Sequence, residues 1–274
     1  MSASAPDARE RLDRVLDAMG PALVAVSGGI DSLTLMAAAH HRGPGLARAA
    51  HATSPAVPAA ALERLQAIAA REQWVLEIVD AGELQDPDYR RNPLDRCYFC
   101  KSNLYRALEN LARRTGMAVV SGANVDDLSD FRPGLEAARQ KGVRHPFIEA
   151  AIDKADVRLL ARTLGLGDLA DLPASPCLSS RVETGIAIDA LLLAAIDRAE
   201  TAVREALGAR VVRCRIRPHS CEIELGDDTL WPGDTLDAVS ATVAQILGDA
   251  GVSLPVTFGR YRQGSAFVGA PALG

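Results

Sequence analysis

The stretch Val24-Ala25-Val26-Ser27-Gly28-Gly29-Ile30-Asp31-Ser32 constrains this chain more than any other. A short apolar run rich in Val ends abruptly in Ser-Gly-Gly, and an apolar segment from Leu33 to His40 follows Asp31 and Ser32. That order predicts strand, tight turn, helix. Two adjacent glycines let the backbone bend sharply and approach a ligand with no Cβ in the way. The helix points unpaired N–H groups and the positive end of its dipole into the same turn. Ser27 and Ser32 add hydroxyls, so the turn reads as a phosphate cradle. Asp31 would repel an anion there unless it holds Mg²⁺ or caps the helix. Two glycines alone would equally suit an ordinary strand–helix connection. The turn also lacks the Lys of a Walker loop.

The flanking text extends the pattern. Ala8 to Met19 reads as an amphipathic helix, Leu46 to Thr53 as a strand weakened by Ala, Arg and His, and Pro58 to Glu72 as a helix. Trp74 to Val79 is a third strand, followed by a polar loop from Asp80 to Pro93. Cys97 to Thr115 is a helix, and Met117 to Val120 is a fourth strand ending at Ser121-Gly122-Ala123-Asn124. Strands alternating with helices predict an α/β fold with a doubly wound, mostly parallel sheet. Ligands of such sheets sit beyond the carboxyl ends of the strands, where strand order reverses, and Ser27 and Ser121 would both open there.

Beyond Asp126-Asp127 the text turns polar, with Pro133-Gly134 and Gly142 reading as turns, before a helix from Lys154 to Leu164. A loop rich in Pro, Ser and Gly runs from Asp171 to Gly185. A helix from Asp189 to Leu207 follows, then strands Val211 to Ile216 and Cys221 to Leu225. A helix from Thr235 to Leu247 and a strand from Val252 to Phe258 complete a smaller C-terminal α+β domain. These patterns predict domains at 1–184 and 185–274, with the boundary near Thr184.

Hydrophobic content of 48% and charged content of 24% over 274 residues predict a soluble globular protein. A net charge of −5 argues against nucleic-acid binding. No apolar run reaches the ~18–20 residues of a membrane helix. Met1 to Arg14 has no apolar core of a secretory signal. Five cysteines do not suggest a disulfide framework, which favours the reducing cytoplasm.

Four further stretches carry chemistry. Gly122, Asn124, Asp126 and Asp127 form a second strand end with an amide and two carboxylates. Asp127 would ligate Mg²⁺ or a ribose, or merely cap a helix. Cys97-Tyr98-Phe99-Cys100-Lys101 offers a metal-binding pair, a redox pair or two packed thiols, and Lys101 would reach a phosphate. Cys177 lies in the Pro- and Ser-rich loop four residues before Arg181, whose charge would favour a nucleophilic thiolate over a packed thiol. Arg213 and Arg215 alternate on one strand and so share a face, either for an anion or as a solvated basic edge.

The ordered set SGGIDS, NPLDRCYFCKSNLY, SGANVDDLSDFRPG, the Glu149-to-Arg158 segment with Lys154, PASPCLSSR, VVRCRIRPH with Glu224, and YRQGS resembles one family over nearly the whole chain. These are the LarE proteins, ATP-dependent sacrificial sulfur transferases of the PP-loop ATP pyrophosphatase superfamily that build the nickel-pincer nucleotide. The resemblance implies that ATP adenylates a carboxylate of pyridinium-3,5-biscarboxylic acid mononucleotide, pyrophosphate leaves, and a sulfur nucleophile displaces AMP to give a thiocarboxylate. It implies ATP binding by Ser27, Gly28, Gly29, Asp31, Ser32, Ser54, Gly122 and Asp127, with Cys177, Asp31 and Lys101 catalytic. Arg181, Arg213 and Arg215, with Glu200 and Glu224, fall on positions near the substrate phosphate.

Cys177 falls on the family's sulfur donor. The additional Cys97 and Cys100 point instead to a [4Fe–4S] cluster on three thiolates with one iron open for sulfide. Cys214 and Cys221 read as packing. Further implications are Mg²⁺ as cofactor, a homo-oligomer (a hexamer in the family) and hand-over of the product to other nickel-pincer proteins. The chain departs from the family at Glu183-Thr184-Gly185, where Pro-Tyr-Gly is usual. It departs again at Cys221-Glu222, where Ala-Arg is usual, so a cation is replaced by an anion. Rival readings on the same turn are a tRNA thiolase, which should show a basic face, an amide-forming synthetase, which needs no Cys177, and a regulatory binding protein.

Overall fold

A computed structural model describes residues 7–129, 132–170, 176–226 and 232–269 of the chain. Asp130-Phe131 and Pro173 to Ser175 of the quoted motifs lie outside the described residues. In chain order the elements begin with α1 (Ala8–Met19), β1 (Ala22–Ala25), α2 (Ile30–His40), β2 (Ala47–Thr53), α3 (Ala59–Arg71) and β3 (Leu76–Asp80). Next come α4 (Pro87–Arg90), α5 (Arg96–Thr115), β4 (Ala118–Ser121), α6 (Pro133–Gln140), α7 (Pro146–Glu149), α8 (Lys154–Thr163) and α9 (Gly167–Ala170). The chain finishes with α10 (Ala190–Leu207), β5 (Val212–Ile216), β6 (Cys221–Leu225), α11 (Gly233–Asp249) and β7 (Val256–Arg260). Two compact units result. One draws on Met1–Ser54, Ala60–Glu83 and Cys97–Ser175, the other on Pro55–Ala59, Leu84–Arg96 and Pro176–Gly274.

The first unit is built on a parallel sheet in the order β3-β2-β1-β4. Successive residues of β1 point to opposite faces. Ala22 and Val24 enter one core with Leu12 and Leu16 of α1, Leu33 and Met36 of α2, Leu65 of α3 and Leu160 of α8. Leu23 enters a second core with Tyr105 and Leu108 of α5 and Ala137 and Ala138 of α6. Helices therefore cover both faces, as the alternation predicts. Strand order reverses between β1 and β4, which are direct neighbours with Ala25 opposite Ser121.

β2 forms where the sequence placed a strand, whereas two other local readings are corrected. β2 is a full strand of seven residues despite its Ala, Arg and His. It lies between β1 and β3, where small Ala49 and Ala50 let the covering layers approach. The buried His51 pairs through Nδ1, 2.8 Å from the Val26 carbonyl. Pro133-Gly134 does not turn the chain but opens α6, with Pro133 in the first turn where its missing N–H costs nothing. Gly134 is needed for close packing, since a Cβ there would lie 2.9 Å from Lys101 Cγ of α5. The polar loop before Pro93 likewise contains the short helix α4, which starts on the Asp86 cap.

The second unit holds a smaller mixed sheet in the order β5-β6-β7, antiparallel across β5–β6 and parallel across β6–β7. α10 begins on Asp189, whose carboxylate accepts from Leu191 N at 2.8 Å, and ends at left-handed Gly208. Cys214 and Cys221 are fully buried with their sulfurs 3.3 Å apart. That hydrogen bond, together with burial, pushes the Cys214 thiol well above its ordinary range, which disfavours its thiolate, and both side chains are packed in the core. Among the described residues, no helix is long and apolar enough to cross a membrane.

Candidate functional site

In the first unit, the turn after β1 closes on itself. Gly28 adopts φ +82°, and a Cβ there would sit 3.0 Å from the Ala61 carbonyl oxygen, so only glycine fits without strain. Ser32 Oγ donates to Gly29 O at 3.0 Å and accepts from Ser27 N at 3.1 Å. Its hydroxyl thus braces the loop. Gly29 caps α2 with no side-chain bond, which leaves the first turn of that helix to a ligand. Ser54 directly follows β2, and Gly122 directly follows β4. Adjacent parallel strands therefore bring Ser27, Ser54 and Gly122 to one edge of the sheet.

Asp31, the second residue of α2, is not a cap. Lys154 Nζ lies 2.6 Å from both of its oxygens, and Asn124 Nδ2 donates to Oδ1 at 3.2 Å. Asp127 is engaged locally: Oδ2 accepts from Asn124 N at 3.1 Å in a capping box, and Oδ1 pairs with Arg132 at 2.7 Å. Lys154 was quoted in a motif but given no role from sequence. Its role arises from a contact spanning 123 positions.

β4 abuts the start of α2. A Cβ on Gly122 would lie 2.8 Å from Ser32 N and 2.9 Å from the Asp31 carbonyl carbon. These are backbone atoms that cannot rotate away. Gly122→Ala is expected to displace the start of α2 and cost about 1–3 kcal/mol in urea unfolding. An unchanged midpoint would mean that β4 recedes easily.

His145 had no signal in the sequence. Its Nδ1 lies 2.8 Å from Ser121 Oγ at the end of β4. Burial lowers its pKa below 6.5, against the opposing pull of Glu149 and Asp127 and with a smaller push from Lys101. These interactions place Lys101 and Asp127 within electrostatic reach of His145. Because the folded pKa is lowered, the folded state binds fewer protons than the unfolded one. The His145 contribution is intact above about 6.5 and is lost as pH falls below it. His145→Asn is expected to flatten the decline of the urea midpoint between pH 7.5 and 5.5; an identical decline would exclude this histidine as its source.

The second unit presents Cys177 and the arginines. Cys177 is half-buried and precedes the short 3-10 turn Leu178–Arg181. Arg181 is 1% exposed and forms a two-point pair with Glu200, Nε to Oε1 at 2.8 Å and Nη2 to Oε2 at 3.1 Å. Its Nη1 donates to the carbonyls of Pro176 at 2.6 Å and Cys177 at 3.1 Å, so it organises the loop that carries the thiol. Arg215 pairs with Glu224 at 2.8 Å and donates to Ser180 O at 2.9 Å.

Arg213 sits 5.6 Å from the Tyr261 ring centroid. Burial, and secondarily Arg181, lowers its pKa. Both β5 arginines are buried, which removes the solvated-edge alternative. The antiparallel register sets Arg213 opposite Glu224 and Arg215 opposite Glu222. Glu222, which stands where the family has a cation, accepts from Arg217 at 3.0 Å.

The expected site residues thus form two groups, one in each unit. Cys97 and Cys100 are partly exposed at the start of α5 in the first unit, whereas Cys177 belongs to the second. Among the described residues, no group of three or more His, Cys, Asp or Glu side chains is gathered to hold a metal.

No family model matches the chain. Over 204 residues it is 33% identical to the pyridinium-3,5-bisthiocarboxylic acid mononucleotide synthase of Lactiplantibacillus plantarum, covering 74% of this chain and 73% of that protein. The chain belongs to the LarE-like family of PP-loop proteins. An uncharacterized protein of Synechocystis sp. is 39% identical over 220 residues, 79% of this chain and 80% of that one. An uncharacterized protein of Methanocaldococcus jannaschii is 30% identical over 139 residues, 50% of this chain and 54% of its own length. Membership agrees with the phosphate turn, the switch-point topology and the smaller mixed-sheet domain expected of a LarE-like chain.

Proposed function

We propose that this chain is an ATP-dependent sulfur transferase acting on pyridinium-3,5-biscarboxylic acid mononucleotide. The observation that carries the reading is the uncapped turn Ser27–Ser32 at the strand-order reversal, with Asp31 held by Lys154. A substrate carboxylate oxygen attacks the α-phosphorus of ATP, and the bond to the bridging oxygen breaks, so pyrophosphate leaves with its electron pair. Amides of the turn and Lys154 stabilise the departing charge. The carboxylate of Asp31 suits Mg²⁺, a hard cation that prefers oxygen ligands, and that ion when bound would neutralise the phosphates. Gly122, Ser54 and Asp127 line the nucleotide, and Lys101 approaches the acyl phosphate.

A sulfur nucleophile then adds to the acyl carbon and AMP departs, which a bare carboxylate oxygen could not do. Arg213 and Arg215 take the substrate phosphate, while Arg181, Glu200 and Glu224 hold their positions. The sulfur is a cluster-borne sulfide or, in the alternative, comes from Cys177 itself. Cys97 and Cys100, one turn apart on one face of α5, suit two ligands of a [4Fe–4S] cluster. Such a cluster supplies an open iron for sulfide. In this reading residues 1–184 activate the carboxylate and 185–274 hold the substrate and join a cytoplasmic homo-oligomer, which hands its product to other nickel-pincer proteins.

The test is anaerobic purification with iron and sulfide assay, then turnover with ATP, Mg²⁺ and the biscarboxylate nucleotide. AMP, pyrophosphate and a thiocarboxylate are expected; their absence overturns the reading. Intact protein mass assigns the sulfur. Loss of one H₂S from Cys177 makes the residue itself the donor, and an unchanged mass with bound iron supports the cluster.

A further inference from the structure

We propose that Arg96 of the second unit is an oxyanion-binding residue, taking a carboxylate or phosphate group beside the Phe267 ring. Arg96 is 2% exposed. Its guanidinium carbon lies 5.2 Å from the Phe267 ring centroid, and Nη1 donates to Asn92 Oδ1. Nη2 is buried and has no hydrogen-bond partner among the described residues. The contrast within the same unit is sharp. Arg181 and Arg215, equally buried, are each held by a carboxylate and by main-chain carbonyls. Arg96 has one neutral amide oxygen and a ring face.

An arginine does not shed its proton to escape such a site. A buried unpaired charge is costly to the fold, and an arriving anion removes that cost. The arrangement is also rigid. Asn92 has a left-handed backbone, φ 53°, and its Nδ2 donates to the carbonyls of Glu183 at 2.8 Å, Ile186 at 2.9 Å and Val182 at 3.3 Å. Its Oδ1 is thereby fixed toward Arg96, so Asn92 sets the guanidinium and leaves the Nη2 edge for another acceptor.

Phe267 also borders a polar cavity of about 390 Å³, whose walls include Arg217, Arg262 and Ser265 together with Glu222, which pairs with Arg217 at 3.0 Å. The flat guanidinium edge suits a planar carboxylate or a phosphate in two-point contact. The site goes beyond the proposed reaction and is read without ATP, so it stands or falls independently of that chemistry.

The test uses the full chain at constant ionic strength, titrated separately with inorganic phosphate and with pyridine-3,5-dicarboxylate and followed by calorimetry and thermal melting. Saturable binding of at least one is expected. Phosphate alone identifies a phosphate site, and the dicarboxylate alone a carboxylate site. Arg96→Met should weaken that binding about tenfold or more and, without ligand, melt at the same or a higher temperature than the parent chain, because an unpaired buried charge is gone. Arg96→Lys, which keeps the charge and loses the fork, should fall between them. The proposal is overturned by no saturable binding, by equal binding in Arg96→Met, or by an Arg96→Met chain that melts lower or fails to fold.

Discussion

Asp31→Asn is expected to slow pyrophosphate release from ATP by about 10²–10³-fold with little change in stability. The side chain keeps its shape and its bond from Asn124 at 3.2 Å but loses the charge that faces Lys154 at 2.6 Å. It also loses the carboxylate best suited to Mg²⁺ beside a phosphate turn. Asp31 and Lys154 side chains are 30% and 33% exposed. A pair so open to water contributes about 1 kcal/mol or less to folding. The experiment is pyrophosphate release at saturating ATP, paired with a urea melt of the same preparation. Loss of rate with the midpoint intact is the expected pair of results. An undiminished rate would remove this turn from the reaction.

Glu200→Leu is expected to have the largest effect on stability, about 3–5 kcal/mol in urea unfolding. Glu200 receives both arms of Arg181 and the Cys214 backbone N–H at 3.0 Å, with Arg204 Nη1 3.5 Å away. One carboxylate thus ties α10 to β5 and to the turn that follows Cys177. Removing it strands the Arg181 guanidinium, 2% exposed, among carbonyls. Pairing it with Arg181→Met should restore much of the loss, since a buried ion pair replaced by apolar side chains of similar size is often neutral. A single variant that costs under about 1 kcal/mol, or a double variant no better than the single, would show that this pair does not hold the loop.

Where local signals govern, sequence reading reached the residue. α1 is bounded as its apolar spacing predicts, and α10 starts on its Asp189 cap. β2 was weak in sequence because its strand character comes from its neighbours β1 and β3, not from its own alanines. α6 was invisible because Pro-Gly signals a turn as readily as a helix start, and only the packing of Gly134 on Lys101 decides between them.

At the site, Asp31 was legible as an acid out of place, but its partner Lys154 is a tertiary contact that no periodicity predicts. The burial of Arg213 and Arg215 was partly readable. The alternation Val-Arg-Cys-Arg-Ile faces Cys-Glu-Ile-Glu-Leu, and cations and anions meet in the observed register. His145 and Arg96 carry no local pattern. Their roles come from a half-buried ring in one case and a buried, incompletely paired cation in the other.

The segment around Cys177 is held by its carbonyl oxygens. Arg181 grips those of Pro176 and Cys177, and Ser180 Oγ donates to the latter at 2.7 Å. Among the described residues, no hydrogen bond runs to the Cys177 sulfur. A chain that gave up this sulfur would keep every bond that positions the loop. Under the sacrificial alternative proposed above, it would age chemically without unfolding. Protein quality control, which senses exposed apolar surface, would have nothing to recognise, so renewal would fall to synthesis and dilution.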